Sequence, residues 1–423
     1  MKQRATTHST DVIVVGGGMV GGLTATALAQ CGLDVILLEQ RTPVPFNAEQ
    51  HDIRVSAISL ATERMFRALG AWDHMRTRRV CPFRRMLVWD QYSNASTLFD
   101  SEEISHDWLG HIVENRLIQS ALWQGLADIP NVHIECPVTI DSLQIKNNAA
   151  CIEINGGNQI RASLVVAADG ANSQVRELAG IKVDGECYDQ HALVATVTTS
   201  SPQQDITWQR FTPHGPQAFL PLTGNRASMV WYQSADYIAG LKQLPEEKFL
   251  QCMQSEFPDR LAELRTLEQI GSFPLQWQHA RNYVLPRIAL VGDAAHSVHP
   301  LAGQGVNMGM LDAAALVECV VERHALGGDF GDLRTLRRYE RWRRGQNQLM
   351  IRILDGIHHA FTPEATESSF FSRVLLKTAR GAALTAAGKV DVINRFCMKS
   401  AMGLDGDLPE LAYGRLPKKA MLA

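Results

Sequence analysis

The stretch from Asp11 to Glu39 constrains this chain more than any other. Asp11-Val-Ile-Val-Val leads straight into Gly16-Gly17-Gly18-Met19-Val20-Gly21-Gly22; a helix-forming run continues to Gln30, and Val35-Ile-Leu-Leu-Glu39 closes the unit. An apolar strand, a Gly-x-Gly-x-x-Gly turn, a helix and a second strand ending in an acid make a dinucleotide-binding unit. Gly16 permits the tight turn, Gly18 lets the backbone approach a pyrophosphate, and Gly21 lets the helix lie close to the sheet. The helix N-terminus offers N–H groups and a dipole that favour phosphate. Glu39, 18 residues after Gly21, is placed to accept hydrogen bonds from ribose hydroxyls. Two other readings fit parts of the stretch. Lys2, Arg4 and the small residues Ala25 to Gln30 imitate a secretory signal peptide, and Gly17-x-x-x-Gly21 imitates a transmembrane packing face. Three consecutive glycines are poor material for an apolar signal core, and neither reading explains the strand after Gly32 or the place of Glu39. The fingerprint alone does not separate NAD from FAD.

A chain of 423 residues holds two or three structural units. Its net charge of −3 gives no reason to expect nucleic-acid binding, but the charge is uneven. Residues 331–423 carry 16 Lys and Arg against 9 Asp and Glu, a net of +7, which leaves −10 on the rest. A basic end on an acidic body suits an anionic surface, or simply a solvated helical face. The eight cysteines form no Cys-x-x-Cys pair, and no His spacing suggests a metal site. Several lie in apolar runs and read as buried reduced thiols, which points to a reducing compartment. Outside the glycine-rich start no apolar run is long enough to span a membrane.

Along the chain, residues 1–10 read as a frayed polar lead. Alternation over 80–100 and 187–233 indicates strands, the latter an antiparallel sheet. Residues 236–266 read as amphipathic helix, with Gly271–Leu275 leading out of that insert. Phe219, Pro221, Met229 and Trp231 are candidates for a pocket wall, and core packing explains them equally well. Two further strand ends stand out, Ala168-Asp169-Gly170 and Val291-Gly292-Asp293. After residue 312 the chain reads as helical. Leu349, Ile353, Ile357 and Phe361 fall close to one helical face, and Phe370, Phe371, Val374 and Leu375 form another apolar group beside Arg373 and Lys377.

These three glycine- and acid-bearing strand ends together resemble the FAD-dependent aromatic hydroxylases of the para-hydroxybenzoate hydroxylase fold, from residue 11 to about 345. His299-Pro300-Leu301-Ala302-Gly303-Gln304-Gly305-Val306-Asn307-Met308-Gly309-Met310-Leu311-Asp312 is similar, position for position, to the signature of the ubiquinone-biosynthesis branch. Asp52–Ser59, Val113–Asn115, Phe211–Pro216 and Ala218–Leu222 extend the likeness toward members acting on a 2-polyprenyl-3-methyl-6-methoxy-1,4-benzoquinol.

The resemblance implies an α/β fold: a Rossmann-like FAD-binding domain (1–80, 101–186 and 276–345), an inserted antiparallel-sheet substrate domain (81–100 and 187–275) and a helical C-terminal region (346–423). It implies FAD held by Gly16, Gly18, Gly21, Glu39, Arg54, Arg116, Asp169, Asp293, Gly303, Gln304, Gly305 and Asn307, with Arg176 in the motif of Asp169. Asp293 is placed to accept from the ribityl or pyrophosphate linker, or to cap a helix. Asp169 is either a ligand contact or a turn-stabilising acid, and the two arginines are FAD contacts or surface ion-pair partners. Pro300 and His299 are the candidates beside the flavin, and His296 or His299 either moves a proton or bonds backbone. The implied cycle uses NAD(P)H to reduce the flavin and O2 to form a flavin hydroperoxide that hydroxylates an electron-rich ring, with no metal. The implied substrate is a polyprenyl quinol or phenol. Implied partners are other quinone-biosynthesis proteins, and the implied place is the cytoplasm, peripheral to the inner face of the membrane. A flavin amine oxidase gives no reason for the later motifs, and the Trp-x-Trp-x-Ile-Pro of flavin halogenases is absent. An FAD-bearing structural subunit would keep every FAD motif.

Overall fold

The computed structural model describes residues 7–91, 95–257, 262–300, 303–361, 381, 384–386, 388 and 390–417. The first sheet grows from the apolar run at the start. Strand Thr7–Val15 lies between Val35–Leu38 and Asn158–Ala167, parallel to both, and Ile288–Leu290 continues the parallel set. Val12, Ile13 and Val14 are wholly buried because helices cover the sheet, as a parallel sheet requires. Helix Met19–Gln30 is buried almost all round, between helices Asn115–Ala127 and Gly305–Ala325. Residues 7–10, expected to fray, pair instead with Gln159–Ala162. Their polar side chains hid a strand whose backbone partner is remote in sequence.

Because these strands run parallel, their C-terminal ends share one edge. That edge gathers Gly16, Glu39, Asp169 and the Gly292-Asp293 turn, which are far apart in sequence. A ligand crevice in such a sheet lies beyond this edge.

The second sheet is mostly antiparallel and eight-stranded, running from His296–Ser297 through Leu264–Ala280, Val183–Thr199, Arg226–Gln233, Gly215–Leu222, Ile206–Thr212 and Arg85–Asp90 to Ser96–Asp100. Helices Ala235–Lys242 and Glu246–Glu256 cover one face. The helical reading of 236–266 therefore ran too far. Leu264–Ala280 is a 17-residue strand, and Gly271–Leu275 lies inside it, paired with Val183–Thr199. The apolar spacing Phe257, Leu261, Leu264 continues a helical period past the helix end by coincidence. A small sheet, Val55–Ser59 with Gly110–Glu114 and Val80–Phe83, stands beside both.

Helix Leu333–Phe361, hereafter the long helix, runs unbroken across residue 345. It buries Leu336, Tyr339, Arg343, Asn347, Ile351, Leu354, His358 and Phe361. The face expected from hydropathy is displaced: Leu349 is 61% and Ile353 46% exposed. The reason is chemical, since three of the inward residues are polar and hydropathy places such residues outside. Helix Asp391–Ala401 sets Met398 against Cys81, Phe83 and Ile112. Phe370, Phe371, Arg373, Val374, Leu375 and Lys377, with Leu301 and Ala302, lie outside the described residues. Of the eight cysteines, Cys31, Cys81 and Cys319 are buried, and Cys187 is exposed.

Candidate functional site

The glycine turn has the geometry its spacing demands. Gly16 sits at φ +100°, and a Cβ there would meet the Ala168 carbonyl oxygen at 2.4 Å. A Cβ on Gly21 would lie 1.8 Å from the Gly16 oxygen. A Cβ on Gly18 would meet nothing within 4 Å, so this flank of the turn is open. Gly18 caps the helix without a side-chain bond, and the first-turn N–H groups face that opening. Glu39 ends its strand beside the turn: Oε2 accepts from Gly17 N at 2.6 Å and Oε1 from Arg41 N at 2.8 Å. From helix Asn115–Ala127, Trp123 Nε1 and Gln119 Nε2 donate to the Gly17 carbonyl at 2.7 and 2.8 Å. Sequence reasoning missed both, since nothing local marks a contact to a backbone oxygen about a hundred residues away.

Asp293 lies in a short turn whose Gly292 has φ +59°. Its carboxylate has no hydrogen-bond partner among the described residues. The side chain is exposed on the crevice, yet the protein packed around the turn displaces enough water to raise its pKa, while His296 and Arg54 pull it down. Asp169 behaves differently. Its oxygens accept from Ser173 Oγ at 2.5 Å and Val175 N at 3.0 Å, so it fastens the turn into helix Gln174–Leu178. Burial raises its pKa and these bonds oppose the rise. Arg176 donates to the carbonyls of Ala294 at 2.9 Å and Ala171 at 2.8 Å, tying the two acid-bearing turns together.

Arg54 and Arg116 come together at the end of the small sheet, where Asn115 N donates to the Arg54 carbonyl at 3.0 Å. Arg116 pairs with buried Asp52 at 3.5 Å. Arg54 is exposed, with its guanidinium 5.3 Å from the Phe273 ring centre.

In the signature loop Gly303 has φ +61°, and its N–H meets the exposed Pro300 carbonyl at 3.3 Å. Gln304 then caps the helix that starts at Gly305. Asn307, expected at the cofactor, has its side chain engaged by protein groups. Its Oδ1 accepts from Ser59 N at 3.0 Å and Thr62 Oγ1 at 2.9 Å; its Nδ2 donates to the carbonyls of Ala57 at 2.9 Å and Gly303 at 3.5 Å. Every donor and acceptor of the amide is used, so Asn307 staples the signature helix to the small sheet.

His299 is 2% exposed, packed among Tyr188, Tyr232 and His358, and neither ring nitrogen has a partner among the described residues. Burial first, then the neighbouring His358 and His359, lowers its pKa to about 3. It is neutral near pH 7 and a poor acceptor for a phenolic proton. His296 bonds Asp312 instead of backbone.

Of the two readings of the second-sheet residues, core packing is the one the contacts support. Phe219, Met229 and Trp231 pack against Ile238, Leu241, Phe249 and Met253 of the covering helices. The side turned toward the signature loop carries Phe211, packed on Val298 and Met308, and Tyr232, against His299. Alternation separates two faces of a strand but does not say which one meets the site.

The FAD binding domain family matches residues 9–352. The chain is 40% identical over 400 residues to the 3-demethoxyubiquinol 3-hydroxylase of Escherichia coli (strain K12), covering 94% of this chain and 100% of that protein. It is 36% identical over 407 residues to the ubiquinone hydroxylase UbiL of Rhodospirillum rubrum, covering 96% and 92%. Among solved structures, p-nitrophenol 4-monooxygenase PnpA from Pseudomonas putida DLL-E4 shares the fold, with a TM-score of 0.74 at 19% identity over 94% of this chain and 99% of that one. The chain belongs to the FAD-dependent monooxygenases of the ubiquinone-biosynthesis hydroxylase family.

Proposed function

We propose that the protein hydroxylates the ring of a polyprenyl benzoquinol or phenol of ubiquinone biosynthesis, using NAD(P)H and O2, most closely the 2-polyprenyl-3-methyl-6-methoxy-1,4-benzoquinol. The observation that carries this is the 40% identity extending over the whole of a 3-demethoxyubiquinol 3-hydroxylase. The crevice suits FAD: an open flank at Gly18, an unpartnered carboxylate at Asp293 and a left-handed Gly303 before the signature helix. In this reading Gly16, Gly18, Gly21 and Glu39 hold the adenosine end. Asp293 accepts from the ribityl or pyrophosphate linker, Arg54 and Arg116 flank it, and the backbone N–H groups of Gly303–Gly305 meet the flavin's pyrimidine edge. Asp169 and Arg176 act by shaping the turns. Bound FAD supplies electron transfer from NAD(P)H and activation of O2. The protein's part is to orient the ring and exclude water, and the face carrying Phe211 and Tyr232 is placed for that.

Full-length protein given NADH or NADPH and a short-chain demethoxyquinol should yield a product one oxygen heavier by mass spectrometry. A flavin that neither nucleotide reduces, even with quinol present, defeats the proposal in favour of a structural FAD subunit. The quinone intermediate that accumulates in a deletion strain identifies the ring position.

So lipophilic a quinol must be met at a bilayer or on a partner protein. No helix among the described residues is long and apolar enough to cross a membrane. We place the protein at the cytoplasmic face, held by the basic C-terminal region and by exposed Leu349, Ile353, Val392 and Phe396. Cutting the chain near 345 is not a fair test, since it removes Asn347, Ile351, Leu354 and Phe361 from the interior. Leu349→Ser, Ile353→Ser, Val392→Ser and Phe396→Ser together should instead weaken binding to anionic liposomes about tenfold or more. Unchanged partitioning refutes this surface.

A further inference from the structure

Behind the Gly292-Asp293 turn lies a second polar cluster that the cofactor reading does not use. Asp312, on the signature helix, is wholly buried. Its Oδ2 accepts from His296 Nε2 at 2.5 Å and Gly292 N at 3.4 Å. Its Oδ1 accepts from Arg343 Nε at 2.9 Å and Asn347 Nδ2 at 2.8 Å, both on the long helix. Arg343 Nη2 also donates to Asn347 Oδ1 at 3.0 Å, and Asn347 Nδ2 to the Tyr283 hydroxyl at 3.2 Å. One turn earlier, the Tyr339 hydroxyl donates to the Leu290 carbonyl at 2.6 Å. Burial alone would raise the Asp312 pKa; His296 and Arg343 outweigh it and hold the carboxylate ionised.

A buried ion pair of this kind gives little net stability over apolar residues of the same volume. What it does give is geometry. Gly292 is left-handed, and Gly309 backs onto it so closely that a Cβ there would lie 3.0 Å from the Gly292 Cα. Val20 packs against this contact with apolar methyls only, which fill space but do not orient the turn's polar groups. The turn is held by hydrogen bonds, from Arg176 on one side and from Asp312 on the other. Arg343 fixes the orientation of Asp312 through a guanidinium that is always charged.

We propose that Arg343, acting through Asp312, is a positioning residue that aims the Asp293 carboxylate at the cofactor and so sets how tightly FAD is held. This rests on the reading of Asp293 as an FAD contact.

The test uses full-length protein stripped of flavin and retitrated with FAD, carrying Arg343→Lys, the pair Arg343→Met with Asp312→Leu, and Asp293→Asn. Arg343→Lys keeps the charge and loses the fork geometry. It should weaken FAD binding about tenfold, and the apolar pair should do at least as much while the apoprotein melts near the wild-type temperature. If oxidised and reduced flavin lose affinity unequally by tenfold, the midpoint potential moves by about 30 mV. In the Asp293→Asn background Arg343→Lys should have no further effect, a non-additivity that general loosening would not produce. Should the apolar pair not fold, Arg343→Lys alone decides. Wild-type FAD affinity in Arg343→Lys, with weakened binding in Asp293→Asn, overturns the inference by itself. Wild-type affinity in Asp293→Asn overturns the cofactor-contact reading and the inference with it.

Discussion

Gly18→Ala is expected to leave the apoprotein folded and to weaken FAD binding about 10- to 100-fold, whereas Gly21→Ala should damage both. The difference lies in two distances. A methyl on Gly18 meets no protein atom within 4 Å, and its φ of −70° suits any residue. Its cost to the helix cap is therefore about 0.5 kcal/mol. It does occupy the flank where a pyrophosphate would approach the backbone, and it holds the phosphate away from the first-turn N–H groups. A methyl on Gly21 would lie 1.8 Å from the Gly16 carbonyl oxygen, a backbone atom that cannot swing aside. Helix Met19–Gln30 would have to lift from the sheet, at about 3 kcal/mol or more. Urea unfolding of the apoproteins and FAD titration separate the two cases. If Gly18→Ala binds FAD like the wild type, the open flank is not the pyrophosphate seat.

Asp293→Asn should give the opposite pair of effects, an apoprotein at least as stable and an FAD affinity lower by about 10- to 100-fold. The carboxylate is exposed on the crevice with no hydrogen-bond partner among the described residues, and the protein around it still raises its pKa, so its charge costs the empty fold a small, solvent-screened amount. For an acid whose folded pKa is raised, this penalty appears as pH rises above the ordinary carboxylate range and vanishes at lower pH. The substitution should therefore flatten the stability profile above that range. An ionised acceptor for a ligand hydroxyl is worth about 1.5–3 kcal/mol, which an amide only partly replaces. Thermal melts of the apoprotein across pH and FAD titration read the two effects separately. Wild-type affinity in Asp293→Asn, or a less stable apoprotein, counts against the assignment.

The parts legible in sequence share one property, that their constraint is local. Gly16, Gly18 and Gly21 are fixed by a turn six residues long, and Glu39 by the length of one helix and one strand. The signature from His299 to Asp312 was legible as a string, yet its residues have roles the string does not spell out. The Asn307 amide is engaged by four protein groups, which its place in the string does not show. His299 looked like a base, and burial among Tyr188, Tyr232 and His358 makes it a weak one.

By itself the sequence determined a parallel α/β unit with a dinucleotide turn, an antiparallel sheet inserted after it and the family, because backbone geometry and hydrophobic period are written over short spans. Only the tertiary structure decided which faces look inward and which charges meet. Leu349 and Ile353 point out because Arg343, Asn347 and His358 point in, held by partners on other elements. Asp312 finds His296 and Arg343 16 residues before it and 31 after it. Burying such groups is favourable only once every partner is in place, and no local pattern records that. The glycine turn that anchors the chain's first sheet could be read at sight; the brace behind Asp293 exists only because the long helix returns to the same edge of that sheet.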